Sequence, residues 1–202
     1  MRSYSGGAVK NGSYLMPTFD PCRTARKLAY NNALANHRLH DACRRLMPGE
    51  FEAVRASFFP SIKATLNHSL TVDWFYVDAL EGGTLGPSAW DIEEPFDDIA
   101  TLATEQAKVD RRLVALCEAA TPEKLASVTE IHRTERIQRE RMEDVLNHLF
   151  QHQTHHRGQV HAMLAGTSVR PPQLDEFIVA DDSRFRSGDI AALGWSEDDL
   201  MR

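Results

Sequence analysis

The chain reads as an all-α protein, an antiparallel four-helix bundle with added elements. Four long segments place apolar residues at helical spacing, and Gly and Pro punctuate the chain between them. No stretch sustains the period-two alternation of a half-buried strand. With 202 residues, 42% of them hydrophobic, one domain with a substantial core is expected.

Residues 1–18 lack the apolar centre of a signal peptide and are expected to form a flexible leader. The bundle is expected over residues 19–170. Asp20 is placed to cap the first helix, with Pro21 at its first position. Leu28, Leu34, Leu39 and Leu46 carry that helix to about Met47, where Pro48-Gly49 stops it. A short helical turn is expected over residues 50–54.

The second helix runs from about Pro60 to Leu80, with Ile62, Leu66, Leu70, Phe75, Val77 and Leu80 on a broad buried face. Gly82-Gly83 ends it. Residues 84–95, with two prolines and Trp90, read as a loop. Asp97 or Asp98 caps a third helix reaching about Ala120 through Ile99, Leu102, Leu113, Val114 and Leu116. Thr121-Pro122-Glu123 starts a short turn. In residues 127–139, Val128, Thr129, Ile131 and Ile137 favour an extended or hairpin segment, while the charges tolerate a helix. The fourth helix spans about Met142 to Ala165 and stops at Gly166. Residues 171–202 form an acidic tail, packed on the bundle or extending from it, with a short helix near Glu197.

A net charge of −6 gives no basic footprint for nucleic acid. Arg133, Arg136, Arg139 and Arg141 are interleaved with Glu130, Glu135, Glu140 and Glu143, the pattern of a solvated, ion-paired face. Cys22, Cys43 and Cys117 are far apart and odd in number, so neither a disulfide framework nor a thiolate zinc knuckle is indicated. With no apolar run of ~18 residues to cross a membrane, a cytoplasmic location is expected.

Histidine carries the chemistry. Five of the nine histidines fall between His148 and His161, in the run HLFQHQTHHRGQVH. His148, His152 and His156 recur at steps of four, so neighbours in the series stack on one helix face with Cβ atoms roughly 5–6 Å apart. Either pair, His148/His152 or His152/His156, can reach one metal ion. Bundle metal sites draw ligands from facing helices, and His68, between Leu66 and Leu70 on the second helix, is the best partner.

The run at residues 148–161 resembles the closing-helix signature of the DinB/YfiT-like superfamily, in which a helical H-x-x-x-H pair is followed directly by Arg-Gly-Gln. LNHSLTVDWF, residues 66–75, resembles the second-helix motif of that superfamily, a histidine followed by an aspartate and an aromatic residue. The resemblance covers roughly residues 20–170. It implies an up-down-down-up four-helix bundle, commonly a homodimer, holding zinc or nickel on His68, His152 and His156. His148 and His155 then become polar surface or outer hydrogen-bonding residues, and His161 has no assigned role.

Three neutral imidazoles leave coordination positions open, as in a catalytic site, and a water or thiolate bound there becomes the reactive species. The resemblance implies a metal-dependent hydrolase, or a transferase using a low-molecular-weight thiol, acting on a small molecule. A non-catalytic metal-binding or stress-associated protein is the alternative. Arg157 is the candidate for cofactor binding, through the thiol's carboxylates, with an inter-helix ion pair as its other reading. Asp73 is a candidate hydrogen-bond partner for His68 or for a neighbouring helix. Gly158, costly in mid-helix, suggests close approach of another helix. Gln159 is expected to hydrogen-bond inside the bundle, and Cys43 to lie in the core.

Overall fold

A computed structural model of the chain describes residues 19–175 and 179–202. The expected leader therefore lies outside the described residues. Four long helices form the bundle: α1 (Arg23–Cys43), α2 (Ile62–Leu80), α3 (Ile99–Glu118) and, after two smaller elements, α5 (Met142–Leu164). The short α4 (Pro122–Ala126) and a hairpin of β1 (Val128–His132) and β2 (Ile137–Arg141) lead into α5. The tail carries α6 (Ser183–Leu193) and α7 (Glu197–Met201). The connectivity is the up-down-down-up bundle of the resemblance.

α1 packs against α3 and α5, and α2 packs against the same two helices. Consecutive α1 and α2 thus lie across the bundle diagonal, and residues 44–61 make the crossing. Leu34, Leu39, Ile62, Leu70, Leu102, Leu149 and Leu164 are completely buried where the four apolar stripes meet.

Local chemistry sets the helix ends. Ser61 caps α2 by accepting the Ala64 N–H at 3.0 Å, and Asp98 caps α3 by accepting the Thr101 N–H at 2.8 Å. α1 begins later than expected. The Asp20 carboxylate accepts the Cys22 N–H in a turn, and helical geometry starts at Arg23. α1 also ends sooner, at Cys43, with turns carrying the chain through Leu46. Residues 50–54 are not helical. The Glu50 carboxylate instead accepts the backbone N–H groups of Met47 and Ser168, tying this crossing segment to the end of α5. The loop after α2 contains a 3-10 turn, Gly86–Trp90. At Gly86, with φ +54°, a Cβ would lie 3.1 Å from the His132 carbonyl, so the turn sits directly against β1.

The segment that tolerated two readings is an antiparallel hairpin, Val128 opposite Arg141 and His132 opposite Ile137. Thr129 and Ile131 point into the protein, Val128 and Glu130 outward. Arg139 pairs with Glu130 across the solvent face at 2.8 Å. Arg133 lies over the Phe75 ring, 4.7 Å from its centroid.

In the tail, α7 falls where a helix was expected and α6 was not anticipated. Its anchor is Arg186, completely buried, which bonds the Glu197 carboxylate and the Val179 carbonyl. Trp195 meets Tyr30 of α1 edge-on, with centroids 4.8 Å apart.

Gly158 corrects an expectation. It is exposed, and a Cβ there would meet nothing within 4 Å, so no helix approaches it closely. Gly158→Ala is expected to stabilise the protein by about 1 kcal/mol through helix propensity alone. A lower melting temperature for this variant would contradict that description.

Candidate metal centre

α2 and α5 pack together, and each offers one face to the site. His68 projects from the middle of α2; His152 and His156, one turn apart, project from α5. Gln153 locks the two helices in register by donating its Nε2–H to the Ser69 carbonyl at 3.0 Å, between the converging histidines. The Nε2 of His152 lies 3.2 Å from that of His68 and 3.1 Å from that of His156. One nitrogen from each ring falls within 4.8 Å of the others, a group able to hold a metal ion. Donors 2.0–2.1 Å from a tetrahedral zinc lie about 3.3 Å apart, so the spacing fits.

Proton accounting makes the same point. Gln159 is placed with its Oε1 2.8 Å from His156 Nδ1 and its Nε2 3.1 Å from His155 Nε2. In that orientation the amide oxygen accepts a hydrogen bond from the His156 Nδ1–H, leaving His156 Nε2 as a bare lone pair facing its neighbours. The His152 Nδ1 is buried without a partner among the described residues. At most one shared Nε2–H of His152 can serve the two neighbouring lone pairs, whereas one cation at the centre engages all three Nε2 atoms directly.

The surroundings favour neutral rings. Burial pushes His68 down to about 4 and His152 down to about 3, with the neighbouring histidines adding to the shift. Burial also lowers His156, opposed by its bond to Gln159. Metal binding at neutral pH therefore needs no proton to leave these rings.

The other histidines stand outside the centre. His148 is exposed and packs edge-on against Tyr76, with centroids 5.0 Å apart. His155 is exposed and meets Gln159, and His161 donates to the Pro172 carbonyl at 3.0 Å, holding the chain beyond α5.

Arg157 departs from the cofactor-binding role. Its side chain is buried and its Nη1 donates to Asn32 Oδ1 and, at 3.0 Å, to Asn36 Oδ1, both on α1. The same asparagines donate to Asp110, which also receives Gln106 Nε2 at 3.1 Å. Asp73 is not bonded to His68. Its Oδ2 accepts Gln106 Nε2 at 2.6 Å, so it joins α2 to α3 within this polar layer. A guanidinium and two carboxylates therefore share the centre of the bundle, and the guanidinium's donors are turned into the protein. Cys43 is buried as expected, its thiol pushed up to about 12.

Sequence reasoning missed Phe59. Its ring lies over His68 with centroids 4.3 Å apart and a 31° tilt, and 5.6 Å from His156. The Arg55 N–H bonds the Pro60 carbonyl at 2.7 Å, closing the loop that carries it. The usable signal was its place, two residues before the Ser61 cap and nine before His68. Beside Phe59 a cleft of about 390 Å3 opens onto His68. A larger one, about 730 Å3, lies between the ends of α2 and α3 and the hairpin, and includes none of the three converging histidines.

Gln159→Ala is expected to lower zinc affinity 10–100-fold, because the His156 ring loses the acceptor that fixes its tautomer. Calorimetric titration reads this directly, and unchanged affinity would contradict the role given to Gln159.

Residues 19–183 match the DinB family. A DinB-like protein of Bacillus cereus superposes with a TM-score of 0.54 at 16% identity, over 69% of this chain and 89% of that one. A DinB-like protein of Bacillus subtilis gives 0.51 at 18% identity, over 69% and 90%. At these identities the likeness is one of fold. Comparison with curated proteins gives no match.

Proposed function

We propose that this chain, which belongs to the DinB family, binds a divalent transition metal on His68, His152 and His156 and works as a metal-dependent enzyme. The observation that carries the reading is the convergence of three imidazole Nε2 atoms, two of the separations being 3.1 and 3.2 Å. Zinc or nickel held there would supply Lewis acidity with positions left open for a substrate. Imidazole donors suit both ions.

The remaining work falls to the chain's own groups. Gln159 orients His156. Gln153 holds α5 against α2. Phe59 covers one side of His68 and His156 and limits the approach of water. Hydrolysis of a small ester or amide is preferred to thiol transfer, because the arginine assigned to the thiol's carboxylates is buried against α1. The resemblance also supports a homodimer, which light scattering checks. No described helix is long and apolar enough to cross a membrane.

The test is turnover of a panel of small esters and amides by zinc- and nickel-loaded protein. Hydrolysis that stops with a chelator, returns with metal and is missing in His152→Ala supports the enzyme reading. A fully loaded protein inert on the whole panel supports the alternative, a non-catalytic metal-binding protein.

A further inference from the structure

The cleft beside His68 has walls of one kind and a rim of another. Phe59, Val72 and Trp90 supply apolar and aromatic surface, and His68 is the one of the three converging histidines on its lining. One side of the Trp90 indole packs on Phe75, with centroids 4.6 Å apart, which fixes the wall it presents. At the rim stand Glu93 and Glu94, both exposed. Glu94 pairs with Lys63 at 3.3 Å, but Lys63 also pairs with Asp97 at 2.7 Å. One cation is thus shared between two carboxylates, and Glu93 has no ion-pair partner among the described residues. The rim carries net negative charge.

We infer that this cleft selects a substrate with a positively charged end, an ammonium or amidinium, joined to an apolar or aromatic body. Carboxylates attract the charge, and aromatic faces beside them add cation–π attraction for an ammonium close to Phe59 or Trp90. The apolar body fills the walls between the rim and His68. The inference rests on the metal-enzyme reading for the reacting end, which lies toward His68. A divalent ion held beside His68 repels a like charge, so the cationic group belongs at the carboxylate rim and the neutral, scissile end belongs toward His68. The same rim repels anionic small thiols, which separates the hydrolytic reading from the thiol-transfer one on electrostatic grounds.

The experiment compares two probes of similar size and opposite charge, phenethylammonium and 3-phenylpropanoate. Each is titrated into the full-length protein at low salt and followed by Trp fluorescence, with and without bound zinc. Phenethylammonium is expected to bind at least tenfold more tightly than 3-phenylpropanoate in both states. Glu93→Gln/Glu94→Gln is expected to erase that preference, and Glu93→Lys/Glu94→Lys to reverse it. Circular dichroism of these surface variants checks that the fold persists. Equal binding of the two probes, preference for the anion, binding of neither, or a preference untouched by the double variants would overturn the inference. Zinc content, measured on the same samples, reports on the histidine centre separately, so a failed rim and a failed metal site give different results.

Discussion

His152→Ala is expected to lower zinc affinity at least ~10³-fold, well beyond the 10–100-fold that losing an outer hydrogen-bond partner costs. His152 is central, because its Nε2 makes both of the short approaches to His68 and His156. Its removal leaves two nitrogens on different helices with no third donor between them. The consequence for stability is conditional. A ligand that binds only the folded state stabilises it by RT ln(1 + [L]/Kd), about 4 kcal/mol at a thousandfold excess over Kd. Wild-type protein should therefore melt roughly 8–16 °C higher with saturating zinc, at 2–4 °C per kcal/mol for a chain of this size. In His152→Ala most of that rise disappears. The metal-free melting temperature should change far less, since without metal the His152 Nε2 meets only the ring nitrogens of His68 and His156 and its Nδ1 has no partner among the described residues. A variant that melts much lower without metal, yet keeps the zinc-induced rise, would contradict the assignment.

Arg157→Met carries the second large effect, on stability rather than on metal. Removing the guanidinium leaves Asp73 and Asp110 buried without the charge that opposes theirs across Asn32 and Asn36, and uncompensated buried charge costs up to about 3–5 kcal/mol. The cost should grow with pH. Burial pushes Asp73 up to about 7, with Asp110 adding to the shift, and burial pushes Asp110 up to about 6; Arg157 opposes both shifts. A carboxyl whose folded pKa is raised contributes stability that is complete below its unfolded value, near 4, and is lost as pH rises through the folded value. Without Arg157 both folded values climb further, so the deficit of the variant should be small at pH 4–5 and largest at pH 8. His40, pushed down to about 3 by burial, acts in the opposite direction. It weakens the fold as pH falls below about 6.5, and Arg157 adds to its shift, so the variant loses part of this acid penalty and the carboxylates are read from the growth of the deficit above pH 6. If Arg157→Met fails to fold at pH 8, adding Asp110→Asn should restore folding. A deficit independent of pH, or no rescue, would show that Arg157 matters through packing rather than charge.

The sequence was most informative where one signal dominated. Four apolar stripes and their Gly, Pro, Ser and Asp punctuation placed the long helices to within a few residues, because helix period and capping are local properties. Histidine spacing limited the possible ligands to a few, and only the resemblance of the Arg-Gly-Gln after His156 to the DinB/YfiT-like signature pointed to His152 and His156 among them. What remained hidden depends on long-range partners. Arg157 belongs to the interior because Asn32 and Asn36 meet it from α1, a pairing across about 120 residues that no local pattern reveals. Gly158 looked like a contact position and is open to solvent. Phe59 sits in a segment without period, and only the closure of residues 55–60 brings it over His68. α6 has few apolar residues of its own, and its anchor is the buried Arg186 bonded to Glu197.

The central claim is that three histidines from two helices form one metal site. Its most direct measurement is the metal content of full-length protein carrying no affinity tag, purified with zinc and dialysed, beside a variant with His68, His152 and His156 all replaced by Ala. One ion per chain in the wild type and none in the folded variant is the expected result. No stoichiometric metal in the wild type, or full retention by the variant, would contradict it.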